Sequence, residues 1–120
     1  MARILIVDDS LLARNNLKSI LQNGEHKVVG EAVDGEQAVD QYLQLKPDIV
    51  TMDITMPKVN GIESLKRIIA DDPEARVIMI SALGQGGKIL EALNSGARHY
   101  LSKPFESEKV LEAISEVMSG

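Results

Sequence analysis

The stretch Asp48-Ile49-Val50-Thr51-Met52-Asp53 (DIVTMD) sets four residues suited to a strand between two carboxylates. Ile, Val and Thr are β-branched and favour extended backbone. The run between the acids is nearly continuous rather than alternating, as strands covered on both faces require. It predicts a central strand over Asp48 to Asp53 in a parallel sheet sandwiched by helices. Val77-Ile78-Met79-Ile80 repeats the pattern, and further strands are expected over Arg3 to Asp8, Lys27 to Val33, Arg76 to Ser81 and Arg98 to Ser102.

Between these runs, apolar residues recur at helical spacing. Ala13, Leu17, Ile20 and Leu21 form one face, Ala38, Val39, Tyr42 and Leu43 a second, and Ile62, Leu65, Ile68 and Ile69 a third. Ile89, Leu90 and Leu93 form the fourth, and Val110, Leu111, Ile114, Val117 and Met118 the fifth. Ser10 is placed to cap the first helix, and Gly24 and Gly96 to close the first and fourth. Strand and helix therefore take turns through residues 1–120, which predicts one α/β domain: a doubly wound (βα)5 chain with a five-stranded parallel sheet. No output domain is expected.

Composition narrows the function. A hydrophobic share of 44% and a charged share of 26% suit a folded domain rather than a disordered one. A net charge of -5 and scattered Lys and Arg argue against nucleic-acid binding. No apolar run approaches the length of a membrane helix, so no membrane association and a cytoplasmic location are expected. The absence of cysteine removes disulfides and thiolate chemistry.

Open parallel sheets bind ligands beyond the carboxyl ends of their strands. Those ends carry Asp8 and Asp9 after the first strand, Asp53 after the third, Ser81 after the fourth and Lys103 after the fifth. An isolated Asp-Asp pair is more often a solvated strand end, but three partners at other strand ends change that weighting. Three carboxylates against one ammonium leave a formal charge of -2. Each close carboxylate pair costs about 4 kcal/mol at about 4 Å and an effective dielectric near 20. A hard divalent cation repays this, and Mg2+ is the expected cofactor because it takes oxygen ligands and keeps open positions. Such a site suits phosphoryl transfer. Asp53 is the preferred acceptor; Ser81 is the poorer candidate, since no neighbouring histidine can act as its base.

These residues resemble a known family. Asp8-Asp9, "TMDITMPKVNGIE" around Asp53, "ISALG" at Ser81 and "HYLSKPF" around Lys103 are similar, over the whole chain, to the receiver domains of two-component response regulators. The similarity is greatest to the stand-alone chemotaxis regulators. The resemblance implies a flavodoxin-like fold with strand order 2-1-3-4-5. It implies that Asp53 accepts a phosphoryl group from the phosphohistidine of a sensor kinase. Mg2+ would be held by Asp8, Asp9, Asp53 and the backbone carbonyl of Thr55, with Lys103 on the phosphate and a cis bond to Pro104. Ser81 would swing toward the phosphoryl group and Tyr100 follow it inward. Thr55 and Leu83 occupy positions that tune dephosphorylation in the family; an apolar Leu83 cannot orient a water, so the expected phosphoryl lifetime is not especially short. The glycines of "LGQGGK" (83–88) are expected to loosen the start of the fourth helix, letting it rearrange on phosphorylation.

The implied role is a monomeric switch, not an enzyme, that binds a target protein through helix four, strand five and helix five. Chemotaxis at the flagellar motor switch is the preferred setting, with a phosphorelay intermediate of the sporulation type as the alternative. A Mg2+-dependent phosphatase with an aspartyl nucleophile is disfavoured, because its second acid would fall at Thr55. A flavodoxin-like cofactor carrier is disfavoured because Asp8 and Asp9 would repel a cofactor phosphate.

Overall fold

Five strands alternate with five helices among the residues described by the computed structural model, 1–82 and 84–120; the expectation attached to Leu83 falls outside them. In chain order they are β1 (Arg3–Val7), α1 (Leu11–Asn23), β2 (Lys27–Ala32), α2 (Gly35–Leu45), β3 (Ile49–Asp53), α3 (Gly61–Asp71), β4 (Val77–Ser81), α4 (Gly86–Asn94), β5 (His99–Ser102) and α5 (Ser107–Ser119). The strands pair in parallel in the order β2-β1-β3-β4-β5, as expected.

Side chains alternate between the sheet's faces, so each strand feeds two cores. Leu5, Val7, Val50, Met52, Val77 and Met79 bury one face against α2, α3 and α4, while Ile4, Ile6, Ile49, Ile78, Ile80 and Leu101 bury the other against α1 and α5. Every residue of β3 and β4 is buried, which explains the continuous apolar runs. Register then fixes the rim: Val7 lies opposite Met52, Asp53 opposite Ile80, and Ser81 opposite Ser102. The residues that follow β1, β3, β4 and β5 therefore emerge together.

Three expectations need correction. On α4, Ile89 is partly buried but Leu90 and Leu93 are exposed, and the buried residue is Ala92. This helix lies toward the sheet edge formed by β5, where only a narrow stripe finds core beneath it. Leu43 and Met118 are likewise exposed flanks rather than core. Gly24 closes α1 as expected, its N–H donating to the Ile20 carbonyl, and Glu25 beyond it is left-handed at φ 67. A Cβ at 24 would press on the tip of the Leu111 side chain, which packs against this turn. Gly96, at φ 113, has the left-handed conformation expected of it. Finally, β2 ends at Ala32, leaving Val33 and the buried Asp34 to lead into α2, where Asp34 accepts from Gln37 N at 2.9 Å as its cap.

Candidate functional site

The acidic groups expected to meet do meet. One carboxylate oxygen from each of Asp8, Asp9 and Asp53 lies within 4.8 Å of the other two. Asp8 and Asp53 are buried at the ends of their strands, and Asp9 is exposed above them. Lys103 Nζ reaches across from the end of β5 to Asp8 Oδ2 at 2.9 Å and Asp53 Oδ2 at 3.3 Å. The remaining oxygens are held by main chain: Ser10 N donates to Asp8 Oδ1 at 2.9 Å and Thr55 N to Asp53 Oδ1 at 3.2 Å. Among the described residues, the Asp9 carboxylate has no such bond.

These contacts set the electrostatics. Burial first, and the Asp8 charge second, raise the Asp53 carboxyl above its ordinary value; Lys103 and the Thr55 N–H pull the other way without cancelling the shift. For Lys103, burial works against the charged form, but its bonds and attraction to Asp8 and Asp53 outweigh it, so its ammonium is held more firmly than usual. One cation thus shares two acids, and a third acid is left uncompensated. The donor set fits a hard divalent ion: three carboxylates on one side, oxygen only, with Asp9 open to solvent.

The loop carrying Thr55 is tightly constrained. Gly61 N donates to the Ile54 carbonyl at 2.9 Å, and a Cβ at Gly61 would collide with the Asp53 carbonyl oxygen. At its far end, a Cβ at Gly35 would strike the Val59 carbonyl, and Ser64 Oγ donates to the Gly35 carbonyl at 3.0 Å. Chain return after the loop thus brings backbone directly against the Asp53 peptide.

The other expected residues are close at hand but differently engaged. Ser81 is buried, its hydroxyl donating to the Leu101 carbonyl at 3.4 Å. Tyr100 points outward and is 45% exposed, with its ring 6.1 Å from that of His99. The Lys103–Pro104 bond is cis. His26 and His99 stand apart from the acids: His26 Nδ1 accepts from Ala2 N at 3.0 Å, and His99 Nε2 lies 2.7 Å from Glu116 Oε2.

Two residues at the site were not foreseen. Gln85, in the glycine-rich stretch, accepts from Ala82 N at 2.6 Å through Oε1 and donates from Nε2 to Thr55 Oγ1 at 2.8 Å. It ties the start of α4 to the loop after Asp53, although α4 itself has no side-chain cap. Arg14 on α1 donates to the Asp8 carbonyl at 2.7 Å. Neither lies on a predicted apolar face or at a strand end, so neither periodicity nor the strand-end rule points to them.

Residues 4–115 match the response regulator receiver domain. The chain is 48% identical over 115 residues to "Chemotaxis protein CheY" of Thermotoga maritima, covering 96% of each chain. It is 47% identical over 116 residues to "Chemotaxis protein CheY" of Listeria monocytogenes, covering 97% of this chain and 98% of that one. Among solved structures it is similar to a CheX-CheY-BeF3-Mg2+ complex from Borrelia burgdorferi, with a TM-score of 0.92 and 42% identity over 97% of this chain and 88% of that one.

Proposed function

The chain belongs to the response regulator receiver domain family, and from that premise we propose that it is a phosphorylation-driven switch with Asp53 as the acceptor. Members of this family are signalling regulators rather than turnover enzymes, and the chemotaxis proteins among its relatives support a role in chemotaxis. The observation that carries the proposal is the convergence of Asp8, Asp9 and Asp53 within 4.8 Å, bridged by Lys103.

In this reading the donor is a phosphohistidine on a sensor kinase. An Asp53 carboxylate oxygen attacks phosphorus, the new O–P bond forms as the N–P bond to the histidine ring breaks, and the ring leaves with the electron pair. Asp8, Asp9, Asp53 and the Thr55 carbonyl would hold Mg2+. When bound, that ion supplies positive charge against the phosphoryl oxygens. Lys103 exchanges its carboxylate partners for a phosphoryl oxygen, and the Ser81 hydroxyl leaves the Leu101 carbonyl to donate to another. Ser81's departure opens room beneath β5 for Tyr100 to turn inward. The Mg2+ and BeF3 of the Borrelia complex support the ion and an occupied phosphoryl position.

Output in this proposal is the binding of a target protein by a monomer, through α4, β5 and α5. Exposed Leu90, Leu93 and Tyr100, and a groove of ≈ 650 Å³ past Tyr100, Lys103 and Lys109, support that face. The flagellar motor switch is the favoured target and a phosphorelay partner the alternative. The phosphatase reading gains nothing, since the Thr55 hydroxyl cannot serve as a general acid at neutral pH.

Intact-mass analysis after treatment with acetyl phosphate tests the core of this proposal. A single base-labile phosphoryl adduct is expected with Mg2+ and none after EDTA. Equal labelling in both, or none in either, would count against it.

A further inference from the structure

Asp8 and Asp53 have carboxylates fixed by hydrogen bonds, whereas among the described residues the Asp9 carboxylate has no hydrogen-bond partner and depends on its backbone. Two neighbours hold the main chain of Asp8, one on each of its flanking peptides. Asp8 N donates to the Ala32 carbonyl at 3.0 Å, and the Asp8 carbonyl accepts from Arg14 Nη1 at 2.7 Å. That carbonyl lies just past the end of β1, where the strand ladder no longer provides a partner. Arg14 is itself anchored. Its Nε donates to Glu31 Oε1 on β2 at 3.0 Å, and its side chain is only 11% exposed. Glu31 is braced in turn by Gln41 Nε2, which donates to its carbonyl at 2.7 Å, and by Lys18 Nζ, 3.4 Å from its Oε2.

We infer that Arg14 is a positioning residue for the cation site: by clamping the Asp8 carbonyl against β2, it aims the exposed Asp9 carboxylate toward Asp8 and Asp53. The peptide linking Asp8 to Asp9 is planar, so fixing its carbonyl fixes where the Asp9 N and Cα, the root of its side chain, are placed. The inference rests on reading Asp8, Asp9 and Asp53 as a Mg2+ site. It concerns geometry rather than charge, because Glu31 offsets the guanidinium. The two roles predict opposite signs: a cation beside a Mg2+ site repels the ion, so a charge role would make Arg14→Met bind Mg2+ more tightly. Loss of the clamp makes it bind more weakly.

Calorimetric titration with MgCl2 decides between them, using the parent, Arg14→Met, Asp9→Asn and the double variant, well below their unfolding temperatures. Arg14→Met is expected to weaken binding about tenfold, as when a partner that orients a metal ligand is lost. In the Asp9→Asn background the same change should cost under about twofold, because coupled residues are not additive. Without metal, amide exchange at Ser10, whose N–H is bound by Asp8 Oδ1, should quicken in Arg14→Met. Arg14→Lys reaches only one of the two acceptors and should fall between parent and Met; it also carries the comparison if Arg14→Met does not fold. Unchanged or tighter Mg2+ binding in Arg14→Met, parental binding in Arg14→Lys, or a full tenfold loss in the Asp9→Asn background would overturn the inference. A parent chain that binds no Mg2+ would overturn it together with the proposed function.

Discussion

Asp53→Asn is expected to take up no phosphoryl group from acetyl phosphate and Mg2+ under conditions that label the parent chain, and to unfold at a higher urea concentration. The first effect follows from chemistry. A neutral amide oxygen is a far weaker nucleophile than a carboxylate, and Ser81 has no base beside it to take over. The second follows from linkage. Asp53 is held above its ordinary value of 3.8, first by burial and then by Asp8, so the native protein binds this proton more tightly than the unfolded chain does. Stability present in acid is therefore lost as the pH rises through the native value, and at neutral pH the ionised group carries the whole penalty. Asparagine carries none. The variant should therefore be the more stable of the two near pH 7. That gain should shrink as the pH falls toward 3.8, where both forms of the protein approach a neutral residue 53. Urea titrations at several pH values, beside intact-mass analysis, check both effects; a less stable variant at pH 7 would show that Lys103 dominates the site instead.

Gly61→Ala is expected to destabilise the chain by about 3 kcal/mol or more, at the upper end for an added methyl group. The atom that a Cβ would meet is the Asp53 carbonyl oxygen, with Asp53 C and Ile54 Cα both 2.9 Å away. A flexible side chain could swing aside; these backbone atoms cannot move without shifting the acceptor residue. Mg2+ binding should therefore weaken along with stability. Gly86→Ala is the matched control. It lies in α4 with nothing within 4 Å of a Cβ, so alanine should stabilise by up to about 1 kcal/mol through helix propensity. Equal costs for the two variants in urea unfolding would refute the close-approach argument.

The sheet was legible because strands buried on both faces leave an uninterrupted apolar record, as Ile49 to Met52 and Val77 to Ile80 do. The acidic site was legible for a related reason: parallel topology brings strand ends together however far apart they lie in sequence. What escaped depends on tertiary position. Periodicity identifies an apolar stripe on α4, but not that a helix near the sheet edge buries Ala92 and leaves Leu90 and Leu93 outside. Gly24 marked the end of α1, but nothing in the sequence showed that the left-handed backbone falls on Glu25 beyond it. Gln85 looked like part of a loose glycine-rich loop, although its amide spans 30 residues to Thr55. Nothing in the sequence around Arg14 points to β2, where Glu31 meets its guanidinium.

In the proposed switch this convergence makes the Asp53 carboxylate, and no other group, the phosphoryl acceptor. Borohydride reduction of the labelled protein followed by peptide mapping tests it most directly, because reduction turns an aspartyl phosphate into homoserine and leaves free carboxylates intact. Homoserine at position 53 alone is the predicted result. Homoserine at Asp8 or Asp9, or a reduction-resistant phosphate on Ser81, would contradict it.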